Sequence, residues 1–521
     1  MRVNKIKRAL ISVTNKQGIA SFAKELTAMG VEIISTGGTA KQLREEGINV
    51  VDVSDYTGFP EMMEGRLKTL HPRIHGGLLA RRDNHEDINA MNVHGIGQID
   101  LAVINLYQFE QTVSDKSCTL EKAIENIDIG GPTMLRAAAK NYRFVSVVID
   151  PADYPAIIAE MKEAGGISEE TNFALMQKTF QATAKYDAAI SNYLGKIQNG
   201  MLSKQFPDTL TLQFALAQGL RYGENPHQKA AFYREADINF ASIATAHQLQ
   251  GKELSYNNIM DADAAWQMVG EFDEAAAIIV KHANPCGAAI TNGELVEAYL
   301  KALASDPVSA FGGIVAFNRP VDEKVARELS KIFLEVIVAP TFTKEALAIL
   351  NDKKNVRLLE VGGIGKPLST YYDFRRVLGG LLVQDKDNTP FDIRSAKIVT
   401  NRVPTNAEYQ GMDFAWRIVK NVKSNAIVFT SSEQLIGVGA GQMSRVDSVK
   451  IAIMKSIPPT KGCYLASDAF FPFRDGIDLA AQAGITAIVQ PGGSLRDEEA
   501  ITAANEHNMA MLFTGMRHFK H

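Results

Sequence analysis

Apolar residues fall along this chain in two rhythms. Short unbroken runs, Ala9 to Val13, Val31 to Ile34, Leu101 to Asn105 and Val145 to Ile149, read as buried strands. Apolar positions at helical spacing mark Gln17 to Ala28, Ala40 to Glu46 and Thr133 to Lys140. Strands alternating with helices predict a parallel sheet covered on both faces, an α/β fold. From Ile167 to Leu194 a helical pattern runs without Gly or Pro, and Gly195 to Leu212 then has mixed polarity. This predicts a domain boundary near residue 198, with domains 1–198 and 199–521. In the second domain Ala277 to Val280 reads as a buried strand, after which Lys281, His282 and Asn284 stand where a strand ends. Pro285 and Gly287 are expected to stop regular structure there. Ala304-Ser305-Asp306 before Phe311-Gly312-Gly313-Ile314 matches Ala466-Ser467-Asp468 before Phe473-Arg474-Asp475-Gly476-Ile477, and Val280-Lys281…Asn284 matches Val422-Lys423…Asn425. The repeat predicts two similar subdomains, about 199–370 and 371–521.

Composition narrows the class. A chain of 521 residues is too long for one core. Hydrophobic content of 46% and charged content of 22% are those of an ordinary soluble globular protein. A formal charge of −4 gives no global field for nucleic acid. No apolar run reaches the length of a membrane span, and no signal-peptide core follows the basic Met1 to Lys7, so a cytoplasmic protein is expected. Cys118, Cys286 and Cys463 lie far apart with no Cys-x-x-Cys pair, which argues for a reducing compartment and against structural zinc.

Several stretches carry candidate chemistry. Ser35-Thr36-Gly37-Gly38-Thr39 joins a strand to a helix, and its free N–H groups suit a phosphate, with Ser12, Thr14 and Lys16 completing the pocket. It is equally an ordinary strand–turn–helix joint. The loop Gly65 to Pro72 brings Arg66, Lys68 and His71, with His75 beyond, as cations for an anionic ligand, or is a solvated basic loop. Tyr107 follows a strand, and Asp128 lies in a loop before a helix; an Asp near Lys and Tyr makes a proton-transfer set. At Lys281-His282 an imidazole can accept a proton near pH 7 while an ammonium stabilises an oxyanion; the other reading is a surface pair at a strand end. Arg221-Tyr222-Gly223-Glu224-Asn225-Pro226-His227-Gln228 is a rigid turn whose Arg can grip a carboxylate or phosphate. Phe470, Phe471 and Phe473 read as core or as walls for a flat ring, with Asp475 beside them. Gly437-x-Gly439-x-Gly441 lacks the spacing of a dinucleotide fingerprint, so no redox cofactor is expected.

Taken in order, Ser35 to Ala40, Gly65 to Pro72, Asn105-Leu106-Tyr107, Asn126-Ile127-Asp128-Ile129-Gly130-Gly131 and Arg136 to Asn141 resemble the IMP cyclohydrolase domain of the bifunctional purine-biosynthesis enzymes. The Lys281 stretch resembles their AICAR formyltransferase site, and the likeness runs from Ser12 to Arg517. The resemblance implies a methylglyoxal-synthase-like domain followed by two cytidine-deaminase-like α/β subdomains. Pro285-Cys286 is similar to the deaminase zinc motif, but its His-x-Glu and second Cys are absent, so no metal is expected there. For the cyclohydrolase the resemblance implies catalysis by Lys68, Tyr107, Asp128 and Lys140, with Ser12, Lys16, Ser35, Thr36, Gly37, Gly38, Thr39 and Arg66 at the substrate. Gln108 departs from the Pro the family often has there. For formyl transfer it implies Lys281, His282 and Asn425 as catalytic, Arg221, Tyr222, His227, Asn258 and Arg517 at the nucleotide, Arg445 at the substrate phosphate, and Phe470, Phe473 and Asp475 at the folate.

The implied reactions are formyl transfer from 10-formyltetrahydrofolate to AICAR, then dehydrative closure of formyl-AICAR to IMP. The substrates are small molecules, with no nucleic acid or membrane involved. A homodimer and a bound monovalent cation are also implied by the resemblance alone. Two rivals remain: a nucleotide-sensing regulator on the same N-terminal fold, and a dehydrogenase using the glycines near Gly437.

Overall fold

The computed structural model describes residues 3–236, 238–363 and 372–521. The chain forms two compact units, Met1–Gln213 and Phe214–His521. Residues 199–213, expected to open the second domain, stay with the first unit. Asn192 ties them there, donating to Thr211 O at 2.8 Å and accepting from Thr211 N at 2.9 Å.

The first unit is built on five parallel strands in the order Val51–Asp52, Glu32–Ser35, Arg8–Ser12, Leu101–Ile104, Ser146–Val148. Ala9, Leu10 and Ile11 are sealed from solvent, as in strands buried on both faces. Helix Ile19–Ala28 turns Ile19, Phe22, Ala23 and Leu26 inward at one-turn spacing. The helix expected from Ala40 starts at Gly37, so both glycines belong to its first turn. The long helix starts at Glu169, because Ser168 caps it and Ile167–Ser168 pairs as a strand with Val3–Asn4.

The second unit contains two six-stranded sheets of one topology. The first runs His247–Gln250, Arg357–Glu360, Val336–Ala339, Ile314–Phe317, Ala275–Lys281, Asn284–Thr291. The second runs Lys397–Ile398, Ala510–Phe513, Ala487–Gln490, Tyr464–Ser467, Ile427–Thr430, Leu435–Gly439. Helices Tyr256–Val269 and Asn406–Val419 lie in one core shared by both sheets, with the Phe272 and Phe414 rings 5.3 Å apart.

The duplication is real, but the residues first matched are out of register. Ser305 ends a helix, whereas Ser467 ends a strand. Lys281 ends a strand, whereas Lys423 precedes one. The structural counterpart of Asp468 is Asn318, each donating its backbone N–H to the alanine that opens its sheet's hairpin, Ala426 or Ala276. The expected split near residue 370 lies outside the described residues.

The strand at Lys281 does not simply end. Lys281 pairs with Asn284, and a second strand, Asn284–Thr291, runs through Pro285 and Gly287. Proline is tolerated because this strand is at the edge of the sheet.

Candidate active sites

In the first unit the strand order reverses between Arg8–Ser12 and Leu101–Ile104, and a ligand crevice is expected at their carboxyl ends. Ser12 to Lys16 leave one strand and Asn105 to Tyr107 the other. The Asn105 side chain pins the first loop, accepting from Thr14 N at 2.6 Å and Asn15 N at 2.9 Å. Lys16 Nζ donates to Thr39 Oγ1 at 2.6 Å and to Val13 O, and burial pulls its pKa down. Thr36 stands at the N-cap without a side-chain cap, which leaves first-turn N–H groups without that partner at the carboxyl end of the strand. Ser35 is fully buried and its hydroxyl donates to Ile11 O at 2.7 Å, so that side chain is committed to the sheet. Gly37 has φ 53°, and a Cβ there would lie 3.7 Å from Lys68 Nζ, so the ammonium overhangs the helix start. No neighbour lies within 4 Å of where a Gly38 Cβ would stand.

Lys68 also lies 3.9 Å from Glu61. Asp128 Oδ1 accepts from Gly131 N at 2.8 Å, and Asp128 N donates to Tyr186 Oη at 2.7 Å. Burial raises the Asp128 pKa; N–H donors of Gly131 and Tyr107, and the Lys68 charge, oppose that rise. The Tyr107 phenol is raised by burial and by the neighbouring Asp128. Lys16, the helix start, Lys68, Tyr107 and Asp128 therefore share one crevice.

Four expected residues stand otherwise. Arg66 is exposed and grips Glu125, Nε to Oε1 at 3.2 Å. His71 and His75 are not cations over the site. His71 Nδ1 accepts from Arg73 N at 3.1 Å as the cap of helix Pro72–Leu79, and burial lowers the pKa of His75. Lys140 is also apart. Helix Gly130–Lys140 starts at the carboxyl edge and ends at the amino edge, where Asn141 bonds Leu78 O and Ala80 O. Twelve residues of mostly helical rise separate it from Asp128 by ~17 Å, and its side chain is exposed.

In the second unit His282 and Ala283 form the two-residue turn of the hairpin, with φ 53° and 58°. The imidazole is exposed, and Lys281 Nζ donates to Phe311 O at 2.7 Å. Asp261 accepts from His282 N at 3.1 Å and Ala283 N at 2.7 Å. Asn284 donates to His282 O at 3.1 Å and accepts from Lys423 N at 3.1 Å, which brings residues 423–425 of the second subdomain to the turn. Asn425 Nδ2 donates to Gln442 O at 2.9 Å, and its Oδ1 accepts from Arg445 at 2.8 Å.

Arg445 is not an open phosphate ligand. Its guanidinium is buried with Asp468 at 2.6 Å and Ser467 Oγ at 2.7 Å, because a buried charge needs such partners. Arg221, Tyr222 and His227 lie on the turn between strands Ala215–Leu220 and Ala230–Arg234, held to the neighbouring helix by Asn257 Nδ2 on Glu224 O at 3.4 Å. Asn258 closes the capping box with Ser255. Phe471 is core, whereas Phe470 and Phe473 are 37% and 50% exposed, leaving aromatic faces open beside exposed Asp475. Arg517 is exposed, its guanidinium 4.3 Å from the Phe519 ring centre. The glycines at 437 and 439 let their strand pack on helix Arg445–Lys455: a Cβ at either would strike that helix's backbone. Among the described residues no cluster of three or more His, Cys, Asp or Glu is placed to hold a metal ion.

Sequence reasoning missed Asp261 and Tyr186. Asp261 is one turn beyond Asn257 on the helix face that meets the turns at Glu224 and His282, a faint signal. Tyr186 lies 58 residues from Asp128, and nothing local links them.

The model of the family described as AICARFT/IMPCHase bienzyme matches residues 138–455. The chain belongs to that bienzyme family. Ahead of that segment, residues 18–133 match the MGS-like domain, the parallel-sheet part of the bienzyme. The "Bifunctional purine biosynthesis protein PurH" of Magnetococcus marinus is 55% identical over 530 residues, covering 99% of this chain and 100% of that relative. A solved chain described as ForH aligns at 35% identity over 35% of this bienzyme and 94% of its own length, with a TM-score of 0.32.

Proposed function

We propose a division of labour between the two sites of this bifunctional enzyme, an AICAR formyltransferase and IMP cyclohydrolase with a folate co-substrate. At the hairpin turn the AICAR amine attacks the formyl carbon of 10-formyltetrahydrofolate. His282 accepts the amine proton, Lys281 stabilises the tetrahedral oxyanion, and the departing folate nitrogen takes up a proton as its bond to the formyl carbon breaks. Asn425 orients the reactants, and Arg445 positions Asn425 rather than touching phosphate. Phe470 and Phe473 face the folate ring with Asp475 at its edge; Arg221, Tyr222, His227 and Arg517 hold the nucleotide.

At the front crevice Lys16, Thr36, Gly37, Gly38 and Thr39 bind the phosphate of formyl-AICAR, with Ser12 beside them and Ser35 shaping the strand end. The carboxamide nitrogen attacks the formyl carbon, and the formyl oxygen leaves as water. Lys68 stabilises developing negative charge, and Asp128 and Tyr107 move protons. Lys140 and Arg66 receive no role in the chemistry. A monovalent cation is given no ligands and no step.

The observation that carries this reading is the pair of unlike clusters, Lys68–Tyr107–Asp128 in one unit and Lys281–His282–Asn425 in the other. Replacing His282 by Ala should abolish formyl transfer and leave closure of supplied formyl-AICAR intact, while Lys68→Ala should do the reverse. Parallel loss of both activities in folded protein would refute the assignment. A homodimer is the assembly we propose; its support is the exposed apolar surface on hairpin strands, Leu216 at 61% and Leu382 at 59%. Free Cys118, Cys286 and Cys463 support a cytoplasmic location, and no described helix is long and apolar enough to cross a membrane.

A further inference from the structure

We propose that Asp261 is a positioning residue for formyl transfer: its carboxylate clamps the His282–Ala283 turn and thereby fixes where the imidazole points. The proposal rests on the role given above to His282. A two-residue hairpin turn of type I′ needs positive φ at both central residues, and Asn-Gly or Asp-Gly suit it best. Here His and Ala occupy those positions at φ 53° and 58°, so both carry a Cβ in the left-handed region. Such strain persists where surrounding structure over-determines it, and it gathers at active sites.

The clamp is bidentate. One Asp261 oxygen takes His282 N at 3.1 Å and the other takes Ala283 N at 2.7 Å. Two successive N–H groups converging on an anion form a nest, which a carboxylate fills better than any neutral side chain. Asparagine offers a single acceptor oxygen, and its amide would turn N–H against N–H. Asp261 is itself anchored, because its helix buries Ala262, Ala265, Trp266 and Met268 in the core shared by the two sheets. From the other side Asn284 donates to His282 O at 3.1 Å. Backbone bonds on two sides therefore fix the turn while the imidazole stays exposed.

The test uses the full-length enzyme with both activities assayed. Asp261→Ala should lower kcat for formyl transfer ~100-fold, as misplacement by about an ångström does, with KM little changed. Asp261→Asn should lose less. Ring closure of supplied formyl-AICAR should stay at the wild-type rate. Adding Ala283→Gly to Asp261→Ala relieves the left-handed penalty at one turn position and should restore part of the lost kcat, a rescue that a general stabilising role would not give. Unchanged kcat in Asp261→Ala, equal loss of both activities, or no rescue by Ala283→Gly overturns the assignment. Retention of formyl transfer by His282→Ala would overturn the role of His282 and this one with it; loss there with full activity in Asp261→Ala would overturn only the clamp.

Discussion

Asp128 depends on Tyr186 through a single N–H. In Tyr186→Phe the Asp128 amide would keep its burial but lose its acceptor at 2.7 Å, a penalty of ~1–3 kcal/mol. Ring closure should fall while formyl transfer holds, as paired assays on one preparation would show. The pH dependence has a definite sign. Burial raises the Asp128 pKa, so its carboxylate takes up a proton at a higher pH than an ordinary Asp as pH falls. The acidic limb of the kcat profile for ring closure should therefore lie above the usual aspartate range, and Asp128→Asn should abolish that limb along with most of the activity. At this scale the sequence pointed to candidate residues but not to their surroundings. Lys68, Tyr107 and Asp128 do meet in one crevice. His71 and His75, counted as cations from their place in a basic run, are a helix cap and a half-buried ring whose pKa burial lowers, because a run of polar residues does not show which of them packing will cover. Arg445 misleads for the same reason: its partner Asp468 is 23 residues away.

Two glycines separate the demands of packing from those of ligand binding. A Cβ on Gly131 would stand 2.5 Å from Asp128 Oδ2 and 2.8 Å from Leu106 Cδ2. Gly131→Ala should displace the carboxylate and cut kcat for ring closure, measurable beside an unchanged formyl transfer. Gly38 has open space around it and lies in the first turn of its helix. Gly38→Ala should leave the melting temperature equal or higher, since Ala is up to ~1 kcal/mol better than Gly in a helix, yet raise KM for formyl-AICAR by filling phosphate space. Strand cores such as Ala9 to Ile11 were legible because both faces are buried. Helix starts were not, because Gly37 reads as a loop residue yet opens helix Gly37–Glu45. The duplication had a clearer signature than the one first matched. Asp263-Ala264-Ala265-Trp266-Gln267-Met268-Val269 aligns with Asp413-Phe414-Ala415-Trp416-Arg417-Ile418-Val419, on the two helices that share a core, and these are the chain's 2 tryptophans.

At the level of the whole molecule the first unit has its own core, from Ile6 through Leu175, and should fold alone. Residues 1–213 expressed separately should give a cooperative thermal transition and close the ring of supplied formyl-AICAR without formyltransferase activity; an unfolded or inactive fragment would show that the first site needs the rest of the chain. In the second unit the hairpin of the second sheet occupies the place that carries His282 in the first, but its tip is Ser431 to Gln434. That tip folds on itself, Ser431 N to Gln434 O at 2.9 Å, and Glu433 O accepts from Ile290 N at 2.9 Å on the strand that follows the His282 turn. Gln434 Nε2 meanwhile holds Lys301 O at 2.8 Å. Corresponding hairpins thus end differently, one in an exposed two-residue turn and the other in a tip that braces its neighbour. Because that brace uses the side chains of Glu433 and Gln434 as well as the backbone, the unlike residues at the two tips read as a division of tasks within a duplicated fold.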